Sequence, residues 1–260
     1  TATDAHGCSL DSSNIQVTQP DSLFAAPSSL GNVSCFGASD GLIDIDIFGG
    51  VEPYFISWTN QIPDSTLIDT LSAGVYIFTI VDDSSCILKD TIIIEEPNEL
   101  SITDSLINIL CHGENTGEIH LAITGGTSPY LYSIDGGVTF QSQNYFANLI
   151  AGSYSIVIKD ANDCILSSPL YNIVEPLTSL TASLTSPNLL CFSYTGTIIL
   201  TVNGGVPNYS ILWDNGTITQ NLYGVGAGNY SVTILDENNC EVIESINVSE
   251  PNEINVNSVI

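Results

Sequence analysis

Few residues in this chain have chemistry to offer. Seven cysteines, three histidines and a set of regularly placed acids stand among 260 residues. Thiols can pair, bind zinc or act as nucleophiles, and their spacing separates these roles. Six of the cysteines fall into early and late members, Cys35 with Cys86, Cys111 with Cys164 and Cys191 with Cys240. The intervals are 51, 53 and 49 residues (86−35, 164−111, 240−191), and Cys8 is expected to be a late member whose early partner is cut away. No Cys-x-x-Cys or Cys/His cluster points to zinc. The expectation is one disulfide inside each repeat and an oxidising, extracellular compartment. Each such bridge would contribute roughly 4 kcal/mol on the loop-entropy scale.

Catalysis finds little support. His6, His112 and His120 are scattered and do not recur from copy to copy, so no catalytic residue is assigned and the chain is not expected to be an enzyme. The Gly-Gly pairs precede strands and not helices, which argues against a phosphate cradle. The most regular acid lies four residues before each late cysteine: Asp4, Asp82, Asp160 and Asp236. One reading makes it a turn cap whose carboxylate accepts backbone N–H groups. The other makes it a calcium ligand, helped by Asp83 or Asp163 or by the junction glutamates Glu96, Glu175 and Glu250. Calcium takes six to eight oxygens, and no dense Asp-x-Asp-x-Asp loop is present. No metal residue is therefore assigned, and no cofactor is expected beyond that open calcium alternative.

These residues must be positioned by a repeating element. Each late cysteine is followed by a strand-like run and a proline, Pro20, Pro97, Pro176 and Pro251, spaced by 77, 79 and 75 residues (97−20, 176−97, 251−176). This divides the chain into the end of a preceding repeat (1–20), three whole repeats (21–97, 98–176 and 177–251) and the first strand of another (252–260). Proline closes the last strand and stiffens a short connector, so a rod of domains is expected.

Composition narrows the partners. Two Lys and no Arg stand against 29 acidic residues, a formal charge of −27. Nucleic acid binding needs clustered cations and is excluded as a role. No run approaches the ~18 apolar residues of a membrane span, so direct membrane insertion is not expected. With 43% hydrophobic residues the chain can nevertheless build cores.

Within a repeat the pattern is that of short strands. Leu42 to Phe48 precedes Gly49-Gly50, read as a turn between two antiparallel strands. Tyr54, Ile56 and Trp58 then alternate, as do Tyr76, Phe78 and Ile80, with counterparts in both other copies. Period-two alternation marks half-buried strands. About seven strands, a bridge from early to late strand and a Trp 22 or 23 residues after the early cysteine (213−191, 58−35) give an all-β fold of tandem immunoglobulin-like sandwiches. Ile134 holds the Trp position in the second copy, so bulk alone is expected to matter there. Phe55, Phe140, Tyr145 and Tyr223 fall on the other face and do not recur as a set.

The order Cys-x-Gly-x-x-x-Gly, Gly-Gly-x-x-Pro-Tyr, Leu-x-Ala-Gly-x-Tyr, Asp-x-x-x-Cys and Glu-Pro resembles the SprB repeat, found in large surface adhesins of gliding bacteria with type IX secretion. In the first copy it is carried by Cys35, Gly37, Gly41, Gly49, Gly50, Pro53, Tyr54, Leu71, Ala73, Gly74, Tyr76, Asp82 and Cys86. The third copy departs: Phe192-Ser193 follows Cys191 with one residue missing, Asn208 separates Pro207 from Tyr209, and Val225 replaces the Leu. The resemblance implies a non-catalytic, cell-surface segment acting in adhesion or gliding. Its partners would be neighbouring repeats, surface polysaccharide, and gliding or outer-membrane machinery reached through other regions. A carbohydrate-binding array and a self-associating fibre are the alternatives. The resemblance also implies O-linked sugar on Asp-Ser/Thr triplets, with candidates at Ser22, Ser65, Thr70, Thr91 and Ser105.

Overall fold

The computed structural model describes residues 2–10, 18–59 and 64–254, and every regular element among them is a β-strand. A short hairpin, β1 (Ala2–Thr3) and β2 (Ser9–Leu10), comes first. The first repeat then supplies β3 (Phe24–Gly31), β4 (Gly41–Phe48), β5 (Phe55–Trp58), β6 (Leu67–Leu71), β7 (Gly74–Val81) and β8 (Ile87–Ile94). The second supplies β9 (Ser101–Ile107), β10 (Gly117–Thr124), β11 (Leu131–Ser133), β12 (Tyr145–Leu149), β13 (Gly152–Lys159) and β14 (Ile165–Ile173). The third supplies β15 (Thr181–Thr185), β16 (Gly196–Asn203), β17 (Ser210–Trp213), β18 (Leu222–Val225), β19 (Gly228–Leu235) and β20 (Glu241–Val248).

Each set of six folds alike into two three-stranded antiparallel sheets, β3-β4-β6 and β5-β7-β8 in the first repeat. The two sheets close over one core, an immunoglobulin-like sandwich. On β4 the alternate residues Ile43 and Ile45 are buried while Asp46 is exposed; Trp58, Phe78, Ile80 and Ile94 meet them from the other sheet. Ile119, Leu121, Ile156 and Ile158 build the second core, and Ile198, Leu200, Trp213 and Ile234 the third. Burying one such side chain fully contributes about 1.5–3 kcal/mol. Among the described residues six strands form per repeat, where about seven are expected from sequence.

The Gly-Gly pair is not a hairpin turn. It carries the chain from β4 to β5, which lie in different sheets. Gly49 and Gly50 have φ of 68° and 66°, and a Cβ on Gly49 would lie 2.2 Å from the Ser22 carbonyl oxygen. Only glycine tolerates both the left-handed backbone and that approach.

The Leu-x-Ala-Gly-x-Tyr motif also acquires a cause. The Tyr76 hydroxyl donates to the Ser72 carbonyl at 2.8 Å, Tyr154 to Ile150 at 2.8 Å and Tyr230 to Gly226 at 3.2 Å. Each tyrosine thus pins the corner that admits its own strand. The indole positions need more than bulk: the Trp58 Nε1–H donates to the Ser65 carbonyl and the Trp213 Nε1–H to that of Thr219, both at 2.9 Å. In the second repeat, where Ile134 stands, the neighbouring Asp135 organises the loop instead. It accepts from the Ser133 hydroxyl at 2.6 Å, from the Thr139 hydroxyl at 2.6 Å and from the Val138 and Thr139 N–H groups.

By contacts the chain divides into two compact units. The first joins Thr1–Leu100 with two short segments of the second repeat, Thr124–Ser128 and Asp160–Cys164. The second contains Ser101–Ile123, Pro129–Lys159 and Ile165–Ile260.

Candidate functional site

Each repeat has two distinct ends. Pairing of Val81 with Ile87 places the β7–β8 turn at one end, the tip, and pairing of Gly74 with Ile94 marks the opposite end, the base. The late cysteine sits at the tip. The early cysteine sits in the loop before β4, at the base.

The tip is organised by the recurring aspartate. Asp82 is 2% exposed; its Oδ1 accepts the Cys86 N–H at 2.7 Å and its Oδ2 the Val51 N–H at 3.0 Å. Asp160 repeats this with the N–H groups of Asn162, Cys164 and Thr127, and Asp236 with those of Asn238, Cys240 and Val206. The residue before each cysteine is left-handed: Ser85, Asp163 and Asn239 have φ of 66°, 67° and 64°. Even the Asp4 turn has the same Oδ1 bonds, to the N–H groups of His6 and Cys8. One carboxylate therefore shapes the hairpin and, in the three whole repeats, also clasps the loop after the Gly-Gly pair. This is the turn-cap role, and both oxygens of each buried aspartate are spent on N–H donors. Burial alone would raise the Asp82 pKa, but the Cys86 and Val51 N–H groups outweigh it and hold the carboxyl below its ordinary range. The same charge, followed by burial, pushes the Cys86 thiol up.

The base is organised by the Glu-Pro glutamate. Glu96 Oε2 accepts the Gly37 N–H at 2.8 Å, Glu175 that of Gly113 at 2.6 Å and Glu250 that of Ser193 at 2.7 Å. Each loop closes a turn from the early cysteine, whose carbonyl accepts the N–H three residues on: Ala38 at 3.0 Å, Glu114 at 3.2 Å and Tyr194 at 3.3 Å. Positive φ at the third residue of such a turn favours glycine, which accounts for Cys-x-Gly. Ser193 adopts the same conformation, φ 61°, despite its side chain and the shorter loop.

The disulfides join base to tip across consecutive repeats. Cys35 bonds Cys164 and Cys111 bonds Cys240, each over a sequence separation of 129 residues. The expected pairing within repeats, Cys35–Cys86, Cys111–Cys164 and Cys191–Cys240, is thereby corrected. Its failure is geometric. Base and tip are separated by the eight-residue strand β4, about 23 Å at ~3.3 Å per residue, whereas a disulfide needs Cα atoms within about 7 Å. The observed Cα separations are 5.7 and 5.6 Å. Cys8, Cys86 and Cys191 are exposed free thiols.

A hydrogen bond accompanies each bridge. The Asn162 side-chain amide donates to the Ser34 carbonyl, and that of Asn238 to the Leu110 carbonyl, both at 2.9 Å. The acceptors directly precede Cys35 and Cys111, and the donors lie two residues before Cys164 and Cys240. The two junctions are thus the same structure built twice, one inside each compact unit.

A family model described as the SprB repeat matches residues 28–61, 103–139 and 183–218, each span running through one early-cysteine loop and its Gly-Gly pair. Three stretches of the chain, one in each repeat, match the SprB repeat. No curated protein matches it closely enough to count as a relative. Among solved structures it is similar to Dpr2 Ig1-Ig2 in complex with DIP-Theta Ig1-Ig3 (14% identity, 87% of this chain and 99% of that one, TM-score 0.31). It is also similar to domains 1–6 of surface layer protein SbsC (14%, 97% and 44%, 0.28). A third likeness is to the N-terminal eight Ig domains of Down Syndrome Cell Adhesion Molecule (9%, 89% and 48%, 0.32). The chain thus spans about half the length of the last two. Overlaps this partial carry no functional weight. SprB repeats with disulfides support a tandem-repeat protein of the cell surface.

The other predicted residues are not gathered by the SprB fold. His112 Nδ1 lies 2.8 Å from the Pro176 carbonyl, His120 Nε2 lies 2.6 Å from Glu118, and His6 sits in the exposed first turn. Among the described residues no three His, Cys, Asp or Glu side chains converge as a metal site. Ser22, Thr70, Thr91 and Ser105 are exposed, whereas Ser65 is half-buried and its carbonyl receives the Trp58 indole. Phe55, Phe140, Tyr145 and Tyr223 are exposed on separate strands and loops. Residues 255–260, where a further first strand is expected, lie outside the described residues.

Sequence reasoning missed the base-to-tip register, the glutamate anchor and the asparagine clasp. The equal 129-residue separations carried the first signal (164−35, 240−111), since the within-repeat intervals of 51, 53 and 49 are less uniform.

Proposed function

We propose that this chain is a non-catalytic spacer of an extracellular surface adhesin, with each repeat covalently braced to the next so that the array bears tension without lengthening. The disulfides between repeats carry this reading. Tension entering at one end crosses from Cys35 to Cys164 and from Cys111 to Cys240, bypassing most of the folded chain between them. Unfolding the first or third sandwich then releases little length, since only the second, between Cys111 and Cys164, lies on the path. The repeat boundaries at 21–97, 98–176 and 177–251 would be the mechanical units, and a stiff rod is the shape such bracing favours. Adhesion or gliding motility is the process such a spacer would serve. Its external contacts would be surface polysaccharide and outer-membrane machinery, reached through other regions.

Single-molecule pulling tests the brace. At full extension the oxidised chain should reach less than half the contour length it attains with reductant present, because the shortest covalent path uses both bridges. Equal lengths with and without reductant would reject the proposal. The exposed hydroxyls of Ser22, Thr70, Thr91 and Ser105 would take O-linked sugar, and Ser65 only if its loop opens. An intact mass of the native protein equal to the bare peptide would refute that modification.

A further inference from the structure

We infer that the Cys191 loop is a docking site for the Asp-x-x-x-Cys tip of one more SprB repeat, sealed by a disulfide between Cys191 and that tip's cysteine. The inference deepens the spacer reading, which rests on the two bridges already formed.

The Cys191 loop keeps the turn and the glutamate anchor of the two sealed loops. Its turn closes from the Tyr194 N–H to the Cys191 carbonyl at 3.3 Å, Ser193 holds the left-handed conformation, and Glu250 anchors the Ser193 N–H at 2.7 Å. In the sealed loops the carbonyl just before the cysteine, of Ser34 or Leu110, receives an asparagine amide from the docked tip. The Leu190 carbonyl holds that position here. Cys191 itself is an exposed free thiol, although the same loop position is bonded in both other repeats.

A second observation is independent of the cysteine. Leu190 is 86% exposed and Tyr194 61%, large apolar side chains on either side of the thiol in sequence. Leu110, the counterpart of Leu190 in a sealed loop, is 56% exposed. Exposed apolar side chains so near one another in sequence favour a contact site. Residues 188–196 carry no charge of their own in a chain whose net charge is −27, and the one carboxylate held against them, that of Glu250, is bonded to the Ser193 N–H. The tips of this chain show what fits: a carboxylate-capped hairpin with a left-handed residue before its cysteine, preformed even where the thiol is free, as at Cys86.

Sealing joins two thiols into one disulfide and releases two protons and two electrons. The electrons pass to the disulfide of a thiol–disulfide oxidoreductase, which is reduced to its dithiol.

The test is a disulfide map of the native protein. Free thiols are blocked with iodoacetamide before isolation, the protein is digested without reduction, and linked peptides are sequenced. The Cys191 peptide should be joined to a peptide whose cysteine lies four residues after an aspartate, with little of it alkylated. Recovery of Cys191 mainly alkylated, or joined to Cys8, Cys86, Cys164 or Cys240 or to a cysteine outside that motif, would overturn the inference. The Cys35–Cys164 peptide in the same digest separates the two claims: its presence beside alkylated Cys191 rejects the docking alone, and its absence rejects the brace itself.

Discussion

The two ends of a repeat are built on different principles. At the tip, one buried carboxylate orders both the hairpin and the loop beside it, and the arrangement is the same whether the cysteine is bonded, as at Cys164 and Cys240, or free, as at Cys86. At the base, a partly exposed glutamate holds a short turn that tolerates a missing residue and a serine in place of glycine. The tip is a rigid key and the base an adaptable lock. The two junctions of this chain share one fit, while the loop at Cys191 shows how far the base can vary.

The largest effect expected on this contrast comes from cutting a bridge. Replacing Cys35 and Cys164 by Ser opens a loop of 129 residues, which on the loop-entropy scale removes about 5 kcal/mol. Urea unfolding of the double variant should show that loss against the parent, and an unchanged midpoint would mean the bridge braces nothing. Next comes the key. Asp160→Ala leaves the N–H groups of Asn162, Cys164 and Thr127 without their acceptor in a buried turn, a loss of about 3 kcal/mol or more by the same measurement. The lock should respond less: Glu96→Ala removes one exposed bond to Gly37 and should cost below ~1 kcal/mol. If the Glu96 variant falls as far as the Asp160 variant, the distinction between key and lock is wrong.

Acidity gives the smallest effect near neutrality. The hydroxyls of Ser133 and Thr139, then the Thr139 and Val138 N–H groups, hold the Asp135 carboxyl far below its ordinary value, and Asp82 is lowered too. Groups depressed in the folded state contribute fully above their unfolded value of 3.8, and that contribution is lost as pH falls from there through the folded pKa. Thermal stability should thus stay level from pH 7 to about 5 and decline below about 4. A decline already present between pH 7 and 5 would show that other groups govern it.

Much of the sandwich was legible in the sequence because alternation reports burial directly: Tyr54, Ile56 and Trp58 face the core, as do Tyr76, Phe78 and Ile80. The aspartate cap was legible as well, since Asp followed by Cys after a short polar turn has a local physical cause. Pairing partners were not. A repeat spacing relates equivalent positions but does not say which end of a strand each occupies, and only the direction of β4 places Cys35 and Cys86 at opposite ends. The Gly-Gly pair misled for the same reason, because a reversal within one sheet and a crossing between two demand the same left-handed glycines. The tryptophans show the reverse case. Ile134 suggested that volume sufficed, yet Trp58 and Trp213 each tie down a loop that the second repeat secures through Asp135.

Disulfide mapping of this 260-residue chain, folded under oxidising conditions, tests the central claim most directly. Peptides linking Cys35 to Cys164 and Cys111 to Cys240 are predicted. Peptides linking Cys35 to Cys86 and Cys111 to Cys164 would contradict it.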